Sequence, residues 1–410
     1  MPDKYLNVFL TKQDLMMRDM IRSFVDKEII PVRQQIDEDK DHVIVNRILQ
    51  QLTDLGTQKA AFPQEYGGLG DHSVVSAAVL HEELGRGDSG ICTARTVTGW
   101  AWMPALVANN KAVLDRFAPD FCGKDLKFGC FAMTEPGGAQ GGGGCDIENT
   151  HLHGTKIHTK AVLDGNEWVI NGQKMWASNE GIADLYCVVC TTDPNLGDEG
   201  VAIIYVPKDA KGVAFGKNER KAGMAADKNH PMFLENVRVP KEWRAAGPGA
   251  DADLLHNNLA VGRVVTAAMA TGQAQAVFDI VLQYTADRVV GNKAIRQHSI
   301  AAGMLADMAI GIETARWSYL CAAWMYDHPE IYGPSTSPYV LSRGSIAKMH
   351  ACDVAVSVCN KAMELMGSYG YVREYDVEKI WRDCKIIQLW EGGAQLGRFD
   401  VCRGYYDLNL

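Results

Sequence analysis

The sequence predicts an α+β fold in three consecutive parts: a helical part over residues 1–128, a β part over 129–245 and a second helical part over 246–410. Apolar residues recur at helical spacing in the first and third parts, whereas short β-branched and aromatic runs between turns mark the second. The chain has 410 residues, 47% of them hydrophobic, so two or three domains with sizeable cores are expected.

The first part opens with an amphipathic helix. A polar stretch at residues 11–14 has the composition of a helix cap, and apolar residues at helical spacing follow it. These are Met17, Met20, Ile21 and Phe24. Pro31 ends this helix or starts the next one. After a turn-rich segment at residues 62–70, a further helix is expected from about Ser73 to Leu84.

The second part contains strand-like runs at residues 167–170, 185–190 and 201–206. Asn-Gly and Gly-Asp pairs lie among these runs and favour tight turns. Since helical periodicity is absent, this part is expected to form a small barrel or sandwich. Cys187 and Cys190 share one run, so their side chains point to opposite faces and are poorly placed to share a metal or a disulfide.

The third part begins with an alanine-rich helix that ends near Arg288. A second helical pattern spans residues 301–322, and a loop with prolines and a glycine follows at 326–338. A closing helical hairpin is expected to complete this part.

Composition excludes some classes of function. The net charge of −9 argues against a general nucleic-acid surface, which would be basic, although it leaves room for a local basic pocket. Most of the eleven cysteines, among them Cys321, Cys352 and Cys359, lie in apolar or helical surroundings. They are expected to be buried free thiols of a reducing compartment. No metal site is expected, because no second cysteine pair completes one.

The location of the protein is expected to be cytoplasmic. Residues 1–14 lack an apolar signal core and an Arg/Ser-rich transit pattern. The mitochondrial matrix stays open as an alternative, because a removed transit peptide leaves no trace. No apolar run approaches the roughly 18 residues that a membrane span needs, so no membrane partner is expected.

The closing segment, residues 364–400, places one carboxylate in apolar surroundings. Glu391 follows Trp390 and a mostly apolar run, and it precedes a glycine pair. Apolar surroundings raise the pKa of a carboxyl group, which is how a general base is tuned towards neutral pH. Glu391 is therefore a candidate base. The alternative is a glutamate that pairs with an arginine or caps a helix.

This segment resembles the C-terminal signature of the acyl-CoA dehydrogenases, flavoenzymes that remove two hydrogens from Cα and Cβ of a CoA thioester. The family pattern is a glycine turn, an aromatic residue, E-Y-x-V-E-K-x-x-R-D-x-K, and an aromatic residue with E-G-x-x-Q. Residues 367–371, 374–385 and 390–395 match it in order. The resemblance implies that the third part is a four-helix bundle and that Glu391 takes the α-proton.

Shorter matches to the same family occur along the rest of the chain. They lie at residues 63–70, 131–137, 171–179, 233–240 and 263–275. The resemblance implies an FAD cofactor, with Thr134 and Ser178 bonding to the flavin ring and Trp176 lying against it. The residues that it assigns to FAD are Met133, Thr134, Trp176, Ser178, Arg288, Gly367, Gly370 and Gln395.

Arg288 matches the family arginine that reaches the FAD diphosphate across a subunit interface. Its planar fork suits paired phosphate oxygens. This role requires at least a dimer, and the resemblance implies a homotetramer. The neighbouring residues depart from the family pattern: residues 289–292 replace an F-G signature, Ser299 stands in place of a glutamine, and Gly393 in place of a threonine.

The acyl-CoA substrate is the ligand that the resemblance implies. The residues predicted to contact it are Arg263, Trp100, Trp102, Trp390 and Gly392. The tryptophans favour a short, branched or alicyclic acyl group, although Trp100 and Trp102 are alternatively ordinary core residues. Asp88 is either a second acid near the substrate or a turn or cap residue. Some family members carry the base directly before the arginine, where this chain has Gly262.

One loop departs from the family pattern. It contains Gly141–Gly144 and an additional piece at residues 147–158, and no residue replaces the family serine that contacts CoA. The loop is expected to lie over the thioester or the pantetheine. The histidines His151, His153 and His158 are expected at the surface rather than on a metal.

The resemblance also implies a reaction. Glu391 removes the α-proton while the β-hydride goes to flavin N5, and the FAD 2′-hydroxyl and the Glu391 backbone N–H stabilise the developing enolate. Electrons then pass to an electron-transfer flavoprotein. Two other interpretations stay open: an acyl-CoA oxidase or flavin monooxygenase on the same fold, and a non-catalytic acyl-CoA-binding or scaffold protein.

Overall fold

The computed structural model describes residues 8–136, 157–391 and 393–408. The first part of the chain is helical, the middle part forms a curled β-sheet, and the last part consists mainly of long helices. This is the α+β architecture that the sequence predicts.

Helices α1 to α6 make up the first part. They are α1 (Lys12–Phe24), α2 (Arg33–Glu38), α3 (Val43–Asp54), α4 (Val74–Gly87), α5 (Ser89–Val107) and α6 (Lys111–Phe121). A capping box begins α1, since the Thr11 hydroxyl accepts from the Asp14 N–H at 3.2 Å and the Thr11 N–H donates to the Asp14 carboxylate at 2.8 Å. A π-helical turn and a 3₁₀ turn that contains Pro31 follow α1.

Seven strands of the middle part form one sheet. They are β1 (Gly129–Ala132), β2 (Lys160–Asp164), β3 (Glu167–Lys174), β4 (Leu185–Thr191), β5 (Val201–Pro207), β6 (Val213–Phe215) and β7 (Met232–Pro240). Their order is β1-β4-β2-β3-β7-β6, and β5 pairs with β4. Strands β4 and β5 are antiparallel, with Leu185 opposite Pro207, whereas β1 runs parallel to β4.

Every residue of β4 is buried, because the sheet carries a hydrophobic core on each face. Cys187 belongs to the core that the sheet shares with α5 and α6, whereas Cys190 belongs to the core on the opposite face. The two thiols therefore point apart, as the strand spacing predicts.

The last part is organised around α7. Its helices are α7 (Ala250–Asp287), α8 (Ser299–Asp327), α9 (Pro329–Tyr332), α10 (Pro338–Met366), α11 (Ser368–Tyr371), α12 (Val377–Leu389) and α13 (Gly393–Arg403). A hairpin of β8 (Val289–Val290) and β9 (Lys293–Ala294) follows α7. Helix α7 packs against α10, α8 and α4. Gly272 permits the contact with α4, because a Cβ there would lie 2.1 Å from the Glu82 carbonyl oxygen.

Within the described ranges, α7 is the one helix that is long and apolar enough to cross a membrane, by length and composition only. However, 72% of its apolar window is buried inside the structure. The core helix of a bundle has the same properties, so α7 is explained by its packing.

Candidate active site

A cavity of about 340 Å³ lies where the three parts of the chain meet. Its walls come from α4, α5 and α7, from residues next to β1 and β3, and from the turn after α12. The predicted site residues that line it are Trp100, Met133, Thr134, Trp176, Ser178, Arg263, Trp390 and Glu391. Residues that are distant in sequence thus converge on one cavity.

Glu391 lies in the turn after α12, and its side chain is 10% exposed. Its Oε1 accepts a hydrogen bond from the Thr266 hydroxyl at 3.0 Å. Its Oε2 is buried and has no hydrogen-bond donor among the residues that the structure describes, although the Lys348 ammonium lies 3.6 Å away. One oxygen of the carboxylate is therefore fixed, and the other retains its capacity to accept a proton.

The turn that carries Glu391 is held from α10. Glu391 has a φ of 52°, in the left-handed region that few non-glycine residues adopt. The Lys348 ammonium donates to the Trp390 carbonyl and so anchors this turn. Sequence reasoning missed both Thr266 and Lys348. The available indication for Lys348 was a lone cation within a mostly small and apolar stretch of helix.

Trp100 and Glu391 both lie close to Gly262 of α7. A Cβ at this position would lie 2.5 Å from Trp100 Cζ2 and 3.1 Å from Glu391 Oε1. The Trp100 indole is fixed, because its Nε1 donates to the Asn258 carbonyl at 2.8 Å. Some family members carry a base at this position, but in this chain Trp100 and Glu391 leave no room there for a side chain.

The two neighbouring tryptophans of α5 have different surroundings. Trp100 lines the cavity, but Trp102 is fully buried in the core between α5, α6 and the sheet. Its ring lies 4.9 Å from that of Phe62 and 5.0 Å from that of Phe121, centre to centre. The prediction that Trp102 contacts substrate is corrected, because packing takes its whole surface.

Arg263 lines the cavity, but its charge is neutralised inside the protein. Its Nη1 lies 2.6 Å from the Asp400 carboxylate and donates to the Ser345 hydroxyl at 3.0 Å. The residue is 7% exposed. The predicted contact of Arg263 with substrate or CoA stays a prediction.

Met133, Thr134, Trp176 and Ser178 come together at the cavity. Trp176 has a φ of 70° and is 51% exposed. The Asn229 side-chain amide donates to its carbonyl at 2.9 Å and holds this backbone in place. A half-uncovered indole beside two hydroxyl side chains fits a flat aromatic ring with a polar edge. The residues present therefore fit the ring system of a flavin.

Arg288, Gly367 and Gly370 do not line the cavity. Arg288 is exposed at the end of α7, and its guanidinium carbon lies 5.8 Å from the centre of the Tyr369 ring. Gly367 has a φ of 59°, and a Cβ on Gly370 would lie 2.9 Å from Met363 Cα. The positive φ at Gly367 and the close contact at Gly370 thus explain why glycine occupies these two positions. Their contact with FAD stays a prediction.

Some predicted positions lie outside the described residues. These are Gly392, the side chain of Gln395, Gly141–Gly144, residues 147–156, His151 and His153. His158 is described and exposed, as the surface interpretation predicts.

Asp88 acts as a helix cap and does not line the cavity. Its Oδ1 accepts from the Ile91 N–H at 2.8 Å, and its Oδ2 accepts from the Lys379 ammonium at 2.5 Å. The alternative of a second acid beside the substrate is therefore not supported.

The cysteines differ in exposure. Cys321 is exposed, contrary to the prediction that it is buried, whereas Cys352 and Cys359 are buried. In the described ranges no group of three or more metal-ligating side chains occurs.

Comparison with known proteins identifies the family. Three acyl-CoA dehydrogenase profiles match, the N-terminal domain over residues 11–125, the middle domain over 130–237 and the C-terminal domain over 252–405. A curated relative, cyclohex-1-ene-1-carbonyl-CoA dehydrogenase of Syntrophus aciditrophicus (strain SB), is 31% identical over 389 residues, which are 95% of this chain and 89% of the relative.

Solved structures have the same fold. Butyryl-CoA dehydrogenase from Megasphaera elsdenii is 27% identical, with a TM-score of 0.82 over 96% of this chain and 98% of that one. A chain of the structure described as the electron transferring flavoprotein of Acidaminococcus fermentans is 28% identical, with a TM-score of 0.84 and the same coverage. The chain therefore belongs to the acyl-CoA dehydrogenase family, a family of FAD-dependent oxidoreductases.

Proposed function

We propose that this chain is an FAD-dependent dehydrogenase that converts a compact acyl-CoA thioester to its 2-enoyl-CoA, with Glu391 as the base. The observation that carries the proposal is the Glu391 carboxylate: this residue lines the same cavity as Trp176, and its buried Oε2 lacks a hydrogen-bond donor among the described residues. A general base must present an available acceptor to the proton that it removes. Oε2 meets this requirement.

Thr134 and Ser178 would hold the polar edge of the flavin, and Trp176 would cover its ring. Bound FAD supplies the hydride acceptor of the reaction. Arg288 would contact the FAD of a neighbouring subunit. This contact requires at least a dimer, and a homotetramer is our expectation. Measurement of the molar mass by light scattering tests it.

The protein's own side chains prepare Glu391 for proton transfer. The Thr266 hydroxyl occupies Oε1 and leaves Oε2 for the α-proton. Lys348 anchors the turn through the Trp390 carbonyl, so the carboxylate keeps its position. The Glu391 backbone N–H would donate to the thioester oxygen and stabilise the negative charge that develops there.

The acyl group is expected to be compact. Trp100 and Trp390 line the cavity beside Glu391, and large rigid rings restrict the width available to the substrate. The names of two similar proteins, a cyclohexene-carbonyl-CoA and a butyryl-CoA dehydrogenase, agree with a ring-shaped or short acyl group.

The proposed acceptor of the electrons from the reduced flavin is an electron-transfer flavoprotein. Consumption of dioxygen by the reduced enzyme would instead indicate an oxidase.

The substitution Glu391→Gln tests the proposed base. Glutamine keeps the size of the side chain but removes the acceptor, so turnover is expected to fall by about three orders of magnitude while FAD binding is retained. The measurement is anaerobic bleaching of the flavin absorbance with a panel of acyl-CoA thioesters.

Glu364→Gln is the matched control, because Glu364 is exposed on α10. The flavin of this variant should be bleached at the wild-type rate. Near-normal turnover of Glu391→Gln would contradict the assignment of Glu391, and a protein that never binds FAD would contradict the proposed function as a whole.

A further inference from the structure

Arg95 is a buried cation beside the same cavity as Glu391. It lies on α5, is 3% exposed and contributes to the cavity wall. Among the described residues its guanidinium makes a single hydrogen bond, from Nη1 to the neutral Gln58 side-chain oxygen at 3.2 Å. A guanidinium has five N–H donors, so most of its bonding capacity is unused.

The other buried arginines of the described chain are paired differently. Each has a carboxylate oxygen at ion-pair distance: Arg18 with Asp19 at 2.7 Å, Arg33 with Asp376 at 3.2 Å, Arg263 with Asp400 at 2.6 Å, and Arg316 with Glu82 at 2.8 Å. Arg95 alone in this set has no acidic partner among the described residues. Burial, with no carboxylate to offset it, lowers the pKa of Arg95 to about 10, so the group is still charged at neutral pH.

A buried charge without a counter-charge is costly, because it gives up its hydration and gains no attraction in return. We infer that the missing partner is part of the substrate: the acyl group ends in a carboxylate that pairs with Arg95, so the substrate is a CoA monothioester of a dicarboxylic acid. This inference rests on the proposed function, since it assumes that the acyl group occupies this cavity.

The position of Arg95 favours the far end of the acyl group over the CoA phosphates. Trp100, which like Glu391 lies close to Gly262 of α7, is on the same helix as Arg95. At a rise of about 1.5 Å per residue, Arg95 lies roughly 7.5 Å further along the α5 axis. Phosphates are strongly hydrated, whereas Arg95 is almost completely enclosed. A short acyl chain that starts beside Glu391 therefore brings its terminal carboxylate, not the CoA, to Arg95.

The experiment compares thioesters with acyl chains of equal length and different ends. Glutaryl-CoA carries the terminal carboxylate, its methyl ester masks the charge, and pentanoyl-CoA lacks it. The flavoprotein should show a kcat/KM at least about 30-fold higher for glutaryl-CoA than for the other two, because breaking a buried charge pair costs this much or more. Calorimetric binding of the 3-thia analogues, in which sulfur replaces the β-carbon and prevents turnover, should show the same preference.

Arg95→Met keeps the length of the side chain and removes the charge. It should abolish the preference for glutaryl-CoA, so that the kcat/KM values for glutaryl-CoA and pentanoyl-CoA become similar. Arg116→Met is the matched control, because Arg116 is exposed on α6 outside the cavity, and it should keep the preference. The comparison of thioesters on the wild-type protein does not depend on either variant.

Three results would overturn the inference. One is a wild-type protein without a preference for the terminal carboxylate. Another is a preference that survives Arg95→Met. The third is an Arg95→Met variant that binds all thioesters and free CoA equally more weakly than the wild type does, which would place a CoA phosphate at Arg95. If no thioester bleaches the flavin, the proposed function fails, whereas the binding measurements still report on Arg95.

Discussion

Gly262 allows Trp100 and Glu391 to lie close to the backbone of α7. A single added carbon would lie 2.5 Å from Trp100 Cζ2, and the hydrogen bond to the Asn258 carbonyl keeps the indole from moving away. The width of the cavity beside the proposed base is therefore set by the absence of a side chain.

We predict that Gly262→Ala displaces the indole or the Glu391 turn. Overpacking of this kind lowers stability by about 1–3 kcal/mol. Because a displaced base loses its alignment with the substrate, kcat/KM should also fall roughly tenfold or more, and the Trp100 contribution to the fluorescence should change. Steady-state kinetics and tryptophan fluorescence measure both effects.

Gly303→Ala is the control for this substitution, since no heavy atom lies within 4 Å of the Cβ position in α8. It should leave activity intact and keep or raise stability, because alanine favours a helix. If Gly262→Ala had the same kinetics as the wild type, Trp100 and the Glu391 turn would be able to accommodate the added methyl group without loss of activity, contrary to the prediction.

At the scale of elements, the segment after β3 presents two of the proposed flavin contacts. Trp176 and Ser178 lie in it, and it is stabilised from within by Glu180, which is fully buried. The Ala177 N–H donates to Glu180 Oε2 at 3.2 Å. Burial raises the pKa of Glu180 to about 8, so the folded protein keeps this carboxyl protonated at neutral pH.

The pKa of Glu180 predicts a pH-dependent stability. In the unfolded chain the group ionises near pH 4.3, whereas in the folded chain it ionises near pH 8. Between these values the folded state holds more protons, so the free energy of unfolding falls as pH rises. Glu180→Gln cannot ionise, so relative to wild type it should gain up to a few kcal/mol between pH 4.5 and pH 8.

Urea denaturation of both proteins at pH 5 and pH 8 measures this gain. Glu235→Gln serves as the control, because Glu235 is exposed on β7 and its effect should be the same at both pH values. A Glu180→Gln variant with the same pH dependence as wild type would argue against a protonated buried Glu180.

At the scale of the whole molecule, one buried ion cluster joins the three parts of the chain. The Lys379 ammonium of α12 donates to Asp88 at the start of α5 and to Asp383 at 2.5 and 2.7 Å. Asp383 in turn accepts from the Met224 N–H of the middle part at 2.5 Å. The cluster fixes α12, which carries Glu391 at its end, against the other two parts.

We expect Lys379→Met to destabilise the whole protein. Two buried carboxylates would remain without their cation, and such losses amount to about 3–5 kcal/mol. Chemical denaturation measures the change, with Lys385→Met on the exposed side of α12 as the control. A loss below about 1 kcal/mol would mean that the carboxylates become protonated or hydrated without cost.

Local patterns in the sequence predicted much of the fold and the main site candidates. The Thr11 cap, the opposite faces of Cys187 and Cys190, and the change from helix to sheet depend on neighbours in sequence, so spacing alone reveals them. Glu391, Trp176 and Ser178 stand in ordered motifs, and the structure brings all three to one cavity.

Only the tertiary structure decided which of several chemically similar residues reach the site. Trp100 and Trp102 lie on one helix, but the cavity is beside one and the core is beside the other. Lys348 and Thr266 contact Glu391 from helices far away in sequence, and Arg95 differs from the other buried arginines by having no acidic neighbour. Sequence spacing fixes the face of a helix on which a residue lies, whereas the packing of distant elements fixes what that face meets.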